Sequence, residues 1–166
     1  MRERDWLAPW PANGRLIERR DFAVDAVSGL GQALVSGNVQ AARAGLAPAA
    51  PWLGLAAHAV APPYALRIAR DQALIVTAAP LALDEGWRGA FALTRMDDSY
   101  AVLDLSGAGA AEAVAEAVSA DLRANSPSAA CLFGGVRALL VARPDGFRLH
   151  VEASWRETVL ARLAQD

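Results

Sequence analysis

The stretch Asp98-Ser-Tyr-Ala-Val-Leu-Asp-Leu-Ser-Gly107 is a short run of apolar and β-branched residues that stops at a Ser-Gly pair. Leu34-Val35-Ser36-Gly37 stops at the same pair, and the two serines are 70 positions apart. An Ala-rich segment follows in both places. We expect each stretch to be a β-strand that is stopped by Ser-Gly and leads into a helix capped there.

Blocks on either side of these strands recur in the same order. Phe22-Ala23-Val24 returns as Phe91-Ala92-Leu93 after 69 positions, and Ile68-Ala69-Arg70-Asp71 returns as Val141-Ala142-Arg143-Pro144-Asp145 after 73 positions. A repeat of this kind determines the architecture of a chain. The shared order and nearly constant spacing predict an internal duplication, with copies at 21–90 and 91–166 in a single domain, preceded by an arm at 1–20.

Each copy is predicted to begin with a strand and a helix. The strands are expected at 30–35 and 100–105. In the second copy Val114 and Val118 share one helical face at i and i+4, which is typical of a helix lying on a sheet. The first helix is expected to end near 45–48.

A hairpin and a closing helix complete each copy. Arg70-Asp71-Gln72 and Arg143-Pro-Asp-Gly146 lie between alternating apolar runs, and Pro and Gly favour a tight turn in the second. A closing helix is predicted from Ser154, which has the capping-box spacing to Glu157, and a weaker one at 80–87. The resulting fold class is α+β, two pseudo-repeated β-α-β-β-α units forming one sandwich with the sheet on one side and the helices on the other.

Composition restricts the class of protein. With 54% hydrophobic and 20% charged residues among 166, the chain can bury one full core and is not a disordered chain. The net charge of −2 predicts no nucleic-acid binding, and no apolar run reaches the ~20 residues of a membrane helix. The lone Cys131 excludes an internal disulfide, and we expect a cytoplasmic protein.

The sequence contains no self-sufficient active site, so no catalytic or metal-binding residue is predicted. His150 alternates with Leu149 and Val151 and is expected on the polar, outward face of a strand. Cys131 is expected to be an inert, buried strand cysteine. His58 lies among Ala and Pro with no acid nearby in the sequence.

Three further features have structural interpretations. Asp97-Asp98 is expected to be a solvated turn, and Gly134-Gly135 a strand kink or bulge. Trp155 opens the predicted terminal helix on the same face as Val159, so we expect it to be a buried core anchor whose truncation costs several kcal/mol.

Several segments of the second copy resemble the gamma subunit of heterotetrameric sarcosine oxidase. They are the strand and Ser-Gly pair of 98–107, Asp121-Leu122 after an Ala-rich helix, and Phe147-Arg-Leu-His-Val-Glu-Ala-Ser-Trp155 before a C-terminal helix. That family is in turn similar to the folate-binding domains of the glycine-cleavage aminomethyltransferases. The resemblance covers about residues 90–165 well and 30–80 loosely.

The resemblance implies a non-catalytic accessory subunit that binds no cofactor on its own. It would pack against alpha- and beta-like chains of a flavin- and folate-dependent amine-demethylating complex, and those partner chains would hold FAD, FMN, NAD and tetrahydrofolate. Trp6 and Trp10 of the arm are the predicted partner-binding residues, because Trp is enriched at interface hot spots.

Two alternatives stay open. One is a free-standing protein of aminomethyltransferase-like fold that binds folate or a one-carbon adduct in a cleft between the copies. Its candidate cofactor-binding residues lie on or beside the hairpin strands and are Arg67, Arg70, Arg137 and Arg143. The other is a homo-oligomer that buries on itself the patch expected to meet a partner.

Overall fold

The computed structural model describes residues 13–55, 58, 61–121 and 126–165. These residues form two six-stranded sheets and three α-helices of eight residues each. Trp6 and Trp10, and with them most of the expected arm, lie outside the described residues. Residues 14–18 of the expected arm form an edge strand of the first sheet, so the sheet reaches into the segment assigned to the arm.

The first sheet is antiparallel throughout. In spatial order its strands are β1 (Gly14–Glu18), β2 (Ala23–Val27), β9 (Tyr100–Ser106), β12 (Gly146–Glu152), β11 (Val136–Arg143) and β10 (Ala130–Phe133). A two-residue turn, Gly134-Gly135, joins the last two strands, and both glycines have positive φ. This is the conformation of a type I′ hairpin turn, so the expected kink or bulge is wrong.

The second sheet has one parallel pair at its edge. In spatial order its strands are β7 (Gly86–Arg88), β8 (Phe91–Arg95), β3 (Gly31–Gly37), β6 (Gln72–Thr77), β5 (Tyr64–Ala69) and β4 (Trp52–Leu53). The strand β4 pairs with β5 in parallel, and the other pairs are antiparallel. The predicted helix at 80–87 is wrong, because that segment ends in the edge strand β7.

The helices are α1 (Val39–Leu46), α2 (Ala110–Ala117) and α3 (Arg156–Leu163), the last after a single 3-10 turn at Ala153–Trp155. Asn38 caps α1, since its side-chain oxygen accepts a hydrogen bond from the Ala41 amide at 3.0 Å. The predicted serine caps are wrong at all three helices, where the N-cap residues are Asn38, Gly109 and Trp155. The hairpin turns at Arg70-Asp71 and Pro144-Asp145 are confirmed.

The two sheets pack face to face, and the helices cover their outer faces. Between the sheets, Leu66 and Leu74 of the second sheet meet Leu139 and Val141 of the first. On the outer side of the first sheet, α2 and α3 bury Val114, Val118, Val159 and Leu163. On the outer side of the second, α1 buries Val39 and Ala42. The expected sandwich is therefore built of sheet on sheet, with a helix layer outside each, and it contains more sheet than an α+β fold suggests.

Each sheet takes strands from both halves of the chain. The hairpin β1–β2 lies beside β9, whereas the strand that follows it, β3, belongs to the other sheet. The hairpin β7–β8 lies beside β3, whereas its successor β9 belongs to the first sheet. The registers are reciprocal, because Val24 pairs with Leu105 and Leu93 pairs with Val35.

Candidate functional site

A chain of hydrogen bonds between the sheets joins polar side chains of both. Tyr64 on β5 and His150 on β12 are fully buried, and the tyrosine oxygen is 3.0 Å from the imidazole Nε2. The other ring nitrogen, Nδ1, is 2.7 Å from the side-chain oxygen of Gln32 on β3. The Gln32 amide nitrogen in turn donates to the backbone oxygen of Tyr100 at 3.2 Å. These contacts link β3, β5, β9 and β12 across the interior.

The contacts of Gln32 fix the direction of the protons. Since its amide nitrogen donates to a carbonyl, its oxygen is the acceptor, and Nδ1 of His150 carries the proton. Nε2 then accepts from the Tyr64 hydroxyl, which itself accepts from Arg148 Nη1 at 3.4 Å. His150 is thus satisfied as a neutral imidazole.

An ion cluster continues this network along the first sheet. Asp104 on β9 accepts from Arg148 Nε at 2.7 Å and from Arg148 Nη2 at 2.8 Å, which is a bidentate pair. Arg143 donates to the same carboxylate. We refer to Gln32, Tyr64, Asp104, Arg143, Arg148 and His150 together as the inter-sheet network.

Burial and charge set the protonation states in the inter-sheet network. Burial, reinforced by the charge of Arg148, lowers the pKa of His150 to about 3. Burial alone would raise the pKa of Asp104, but hydrogen bonds from Arg148 and Arg143 hold it below its ordinary value. At neutral pH the network therefore contains a neutral imidazole, one carboxylate and two guanidinium groups.

His150 corrects the sequence analysis. The alternation of Leu149 and Val151 with His150 predicts a core face and a solvent face, but His150 is 0% exposed. Both faces of this sheet are covered, one by helices and one by the second sheet. On β12, His150 therefore faces the second sheet and is hydrogen-bonded to Tyr64 and Gln32, and Arg148 is paired with Asp104 on β9. The network is thus a structural connection in which the imidazole has no solvent exposure.

The candidate cofactor-binding arginines do not converge on one site. Arg67 on β5 packs over the Trp52 ring at 4.6 Å, and Arg70 is exposed at the β5–β6 turn. Arg143 belongs to the inter-sheet network. Arg137 lies at the other end of the same strand, roughly 20 Å away by the rise of a strand.

The remaining sequence candidates have structural roles or none. Asp97 accepts from the backbone amide of Gln32 at 2.7 Å, so it holds the turn before β9 against β3. Cys131 is half-buried on β10, and burial raises the pKa of its thiol to about 11, which keeps it protonated. His58 is exposed and forms an isolated bridge with Ala142. Among the described residues there is no group of three or more His, Cys, Asp or Glu that could hold a metal ion.

Large apolar side chains are exposed at three positions. Trp87 on the edge strand β7 is 77% exposed, Leu132 on the edge strand β10 is 49% exposed, and Trp155 is 48% exposed. The expected burial of Trp155 is wrong, because the residue belongs to the 3-10 turn before α3 and only Val159 and Leu163 of that helix are buried. Trp155 lines a shallow surface depression with Arg137, which is the strand partner of Leu132.

These three residues are the strongest candidates for a binding surface in the described part of the chain. Exposed aromatic and aliphatic side chains at strand edges are typical of protein interfaces. Two of these residues, Leu132 and Trp155, lie beside Arg137, and we call Leu132, Arg137 and Trp155 the β10 patch.

None of the helices in the described part of the chain has the length and hydrophobicity needed to span a membrane.

Comparison with known proteins relates the fold of this chain to that of a solved structure. No family model matches the sequence, and the search of curated proteins found no match. Among solved structures, a chain of the heterotetrameric sarcosine oxidase from Corynebacterium sp. U-96, determined in complex with pyrrole 2-carboxylate, matches with a TM-score of 0.69. The match covers 90% of this chain and 85% of that chain at 17% sequence identity. The two chains share a fold. The resemblance to sarcosine oxidase expected from the sequence is therefore confirmed at the level of the fold.

Proposed function

We propose that this protein is a non-catalytic accessory subunit of a sarcosine oxidase-like, amine-demethylating complex. The observation that carries the proposal is the shared fold with a chain of a heterotetrameric enzyme over most of the length of both chains. A second argument is the nature of the buried polar groups. Among the described residues, His150 is sealed in the interior and the Cys131 thiol is protonated, so neither supplies an accessible base or nucleophile.

The partners in this proposal are alpha- and beta-like chains that carry FAD, FMN, NAD and tetrahydrofolate, and the complex acts in the cytoplasm. The β10 patch and Trp87 are the described surfaces that such a chain would bury, with Trp6 and Trp10 of the arm added to them. Trp and Arg are the residue types that contribute most at interface hot spots. The β10 patch contains one of each, together with an exposed Leu.

The proposal includes the internal duplication. It is supported by the strand orders, which read β1-β2-β9-β12-β11-β10 and β7-β8-β3-β6-β5-β4. In each order a hairpin comes first, then the strand that ends in Ser-Gly, then the two strands of the second hairpin. Val24 of the first proposed copy pairs with Leu105 of the second, and Leu93 of the second pairs in the same way with Val35 of the first. A superposition of 22–80 on 91–154 is the direct test, and it should place Ser36 on Ser106 and Arg70 on Arg143.

The alternative of a free-standing folate binder has less support. A folate tail needs a cation at one end of a pocket that encloses the rest of the molecule. The four candidate arginines are spread over two sheets and two strand ends, and Arg143 is already engaged by Asp104. A self-associating protein remains an outcome of the experiment that follows.

The test is recovery of the full-length, tagged chain from its native host. We expect it to elute with larger chains whose absorbance shows bound flavin. Trp155→Ala and Leu132→Ser should lose those chains, whereas Glu116→Ala on the exposed side of α2 should retain them. Elution of the wild-type chain alone or as a homo-oligomer, without flavoprotein, would overturn the proposal.

A further inference from the structure

A groove opens between the sheets beside the β10 patch. Its volume is about 280 Å³, and residues of both sheets line it. The second sheet supplies Leu34 and Ile68, with Met96 just after β8, and the first supplies Leu139, Arg137 and the carboxylate-bearing Glu152. Leu34, Ile68 and Met96 are only half-buried, although Ile68 and Met96 pack against the inter-sheet core. These three side chains therefore give the groove an accessible apolar side, while Gln72, Tyr100 and Glu152 also line it.

The corresponding position of the first sheet shows why this groove is open. Leu34 and Asp104 occupy equivalent positions in the two sheets. Leu34 directly precedes Val35, which pairs with Leu93, and Asp104 directly precedes Leu105, which pairs with Val24. At Asp104 the space between the sheets is filled, because two arginine side chains fold onto the carboxylate. At Leu34 the cross-strand partner is the apolar Leu74, and no such ion cluster forms among the described residues.

Arg137 places a positive charge at the mouth of the groove. Its side chain is 86% exposed, and its ion pair with Glu152 spans 3.6 Å. That separation is longer than the ~2.7–2.9 Å of a charge-assisted hydrogen bond, and exposed pairs of this kind contribute little. The guanidinium donors are thus open to a better-placed carboxylate, which can accept two of them at once.

We propose that this groove binds a small organic carboxylate with an apolar body. The body would lie on Leu34, Ile68, Met96 and Leu139, and the carboxylate would accept hydrogen bonds from Arg137. The volume lies just below that of typical ligand pockets, which start at about 300 Å³, so the groove accommodates a molecule of one ring and a short chain and no larger cofactor. Arg137 also belongs to the β10 patch, so a bound partner and the ligand would compete for it; the groove is therefore tested on the full chain without partners, where its failure is separate from failure of the proposed accessory role.

Hydrocinnamate is a suitable probe, because it combines a phenyl ring and a carboxylate. We expect saturable binding by calorimetry at millimolar concentration, with chemical-shift changes confined to groove residues. Acetate, which lacks the body, and hydrocinnamamide, which lacks the charge, should each bind at least roughly tenfold more weakly.

The matched variants are Arg137→Gln at the mouth and Arg95→Gln, an exposed arginine of β8 that does not line the groove. Arg137→Gln should weaken hydrocinnamate binding roughly tenfold, and Arg95→Gln should leave it unchanged. Absence of saturable hydrocinnamate binding, or equal binding by wild type and Arg137→Gln, would overturn the proposal. Unchanged melting temperatures of both variants show that the comparison concerns binding and not folding.

Discussion

Tyr64 and His150 face each other across the two sheets, with the phenol oxygen 3.0 Å from Nε2 of the imidazole. One residue belongs to each sheet, and both are fully buried. Their rings meet edge to face, at an interplanar angle of 76°. Because the tyrosine donates to a nitrogen that has no other described partner, the pair fixes how the sheets are placed on each other.

Replacement of Tyr64 by Phe keeps the ring and removes the hydroxyl. His150 Nε2 then lacks its donor in the interior, so we expect the free energy of unfolding to fall by about 1–3 kcal/mol. Chemical denaturation monitored by circular dichroism measures the loss. Tyr100→Phe, at the only other tyrosine and half-buried, is the matched control and should cost less. Equal losses in the two variants would argue against the special role of the Tyr64 hydroxyl.

Acidification should destabilise the protein before the carboxylates titrate. The pKa of His150 is about 3 in the folded state and 6.5 in an unfolded chain, so the unfolded state binds the extra proton between these values. The contribution of the neutral imidazole to the free energy of unfolding is fully present above pH 6.5 and is lost as the pH falls towards 3. The free energy of unfolding decreases over this range by up to about 1.4 kcal/mol per pH unit. Denaturation midpoints measured from pH 7 to pH 4 give this slope.

The control for this pH dependence is His150→Gln. That variant loses the titrating group, so its stability should vary much less over the same range, whatever its stability at pH 7. Asp104 adds a second loss at lower pH, since its lowered pKa means that its contribution disappears as the pH falls through the folded-state value. A wild-type stability that is flat from pH 7 to pH 4 would contradict the burial of a neutral His150.

Trp155→Ala should change stability little. The side chain is half-exposed, and surface substitutions of this kind change the free energy of unfolding by about 0.5 kcal/mol or less. Phe133→Ala, at a residue 1% exposed in the core beneath α2 and α3, should cost about 3–5 kcal/mol. The two melting temperatures distinguish these cases, and a large loss at Trp155 would restore the core role that the sequence suggested.

Gly37 and Gly107 end the two strands that stop at Ser-Gly, with φ of +106° and +104°. A Cβ at either position would clash with the backbone of a distant segment, at Ala90 for Gly37 and at Asp21 for Gly107. We expect Gly37→Ala and Gly107→Ala each to cost about 1–3 kcal/mol. Gly45→Ala on α1, where a Cβ meets open space, should instead stabilise the protein by about 0.5–1 kcal/mol, and the contrast is measured by thermal unfolding.

The sequence predicted local features better than their surroundings. The strands before Ser-Gly, the two hairpin turns and the end of α1 follow from short-range chemistry, such as Pro144-Asp145 in a tight turn. Local alternation could identify the two faces of β12 but not what covers them, so it placed His150 in solvent. For the same reason helical spacing alone placed Trp155 in the core.

The candidate sites were still harder to predict. The inter-sheet network joins residues far apart in the chain, such as Gln32 and His150, and their spacing carries no motif. The signal that was present is the concentration of Arg148 and His150 on one face of a strand, opposite Asp104 on its neighbour. Arg137 was recognised as a candidate by its place on a hairpin strand, but the groove beside it depends on the packing of both sheets.

The exchange of hairpins between the halves has a consequence for synthesis on the ribosome. When residues 21–90 have emerged, β2 still lacks its neighbour β9, and β3 lacks its neighbour β8. The nascent chain therefore exposes two apolar strand edges until roughly two thirds of it has been translated. Folding that waits for contacts so distant in the chain is slow and open to aggregation. We expect this chain to need chaperone protection during translation, and halves made as separate polypeptides to fold only when they are produced together.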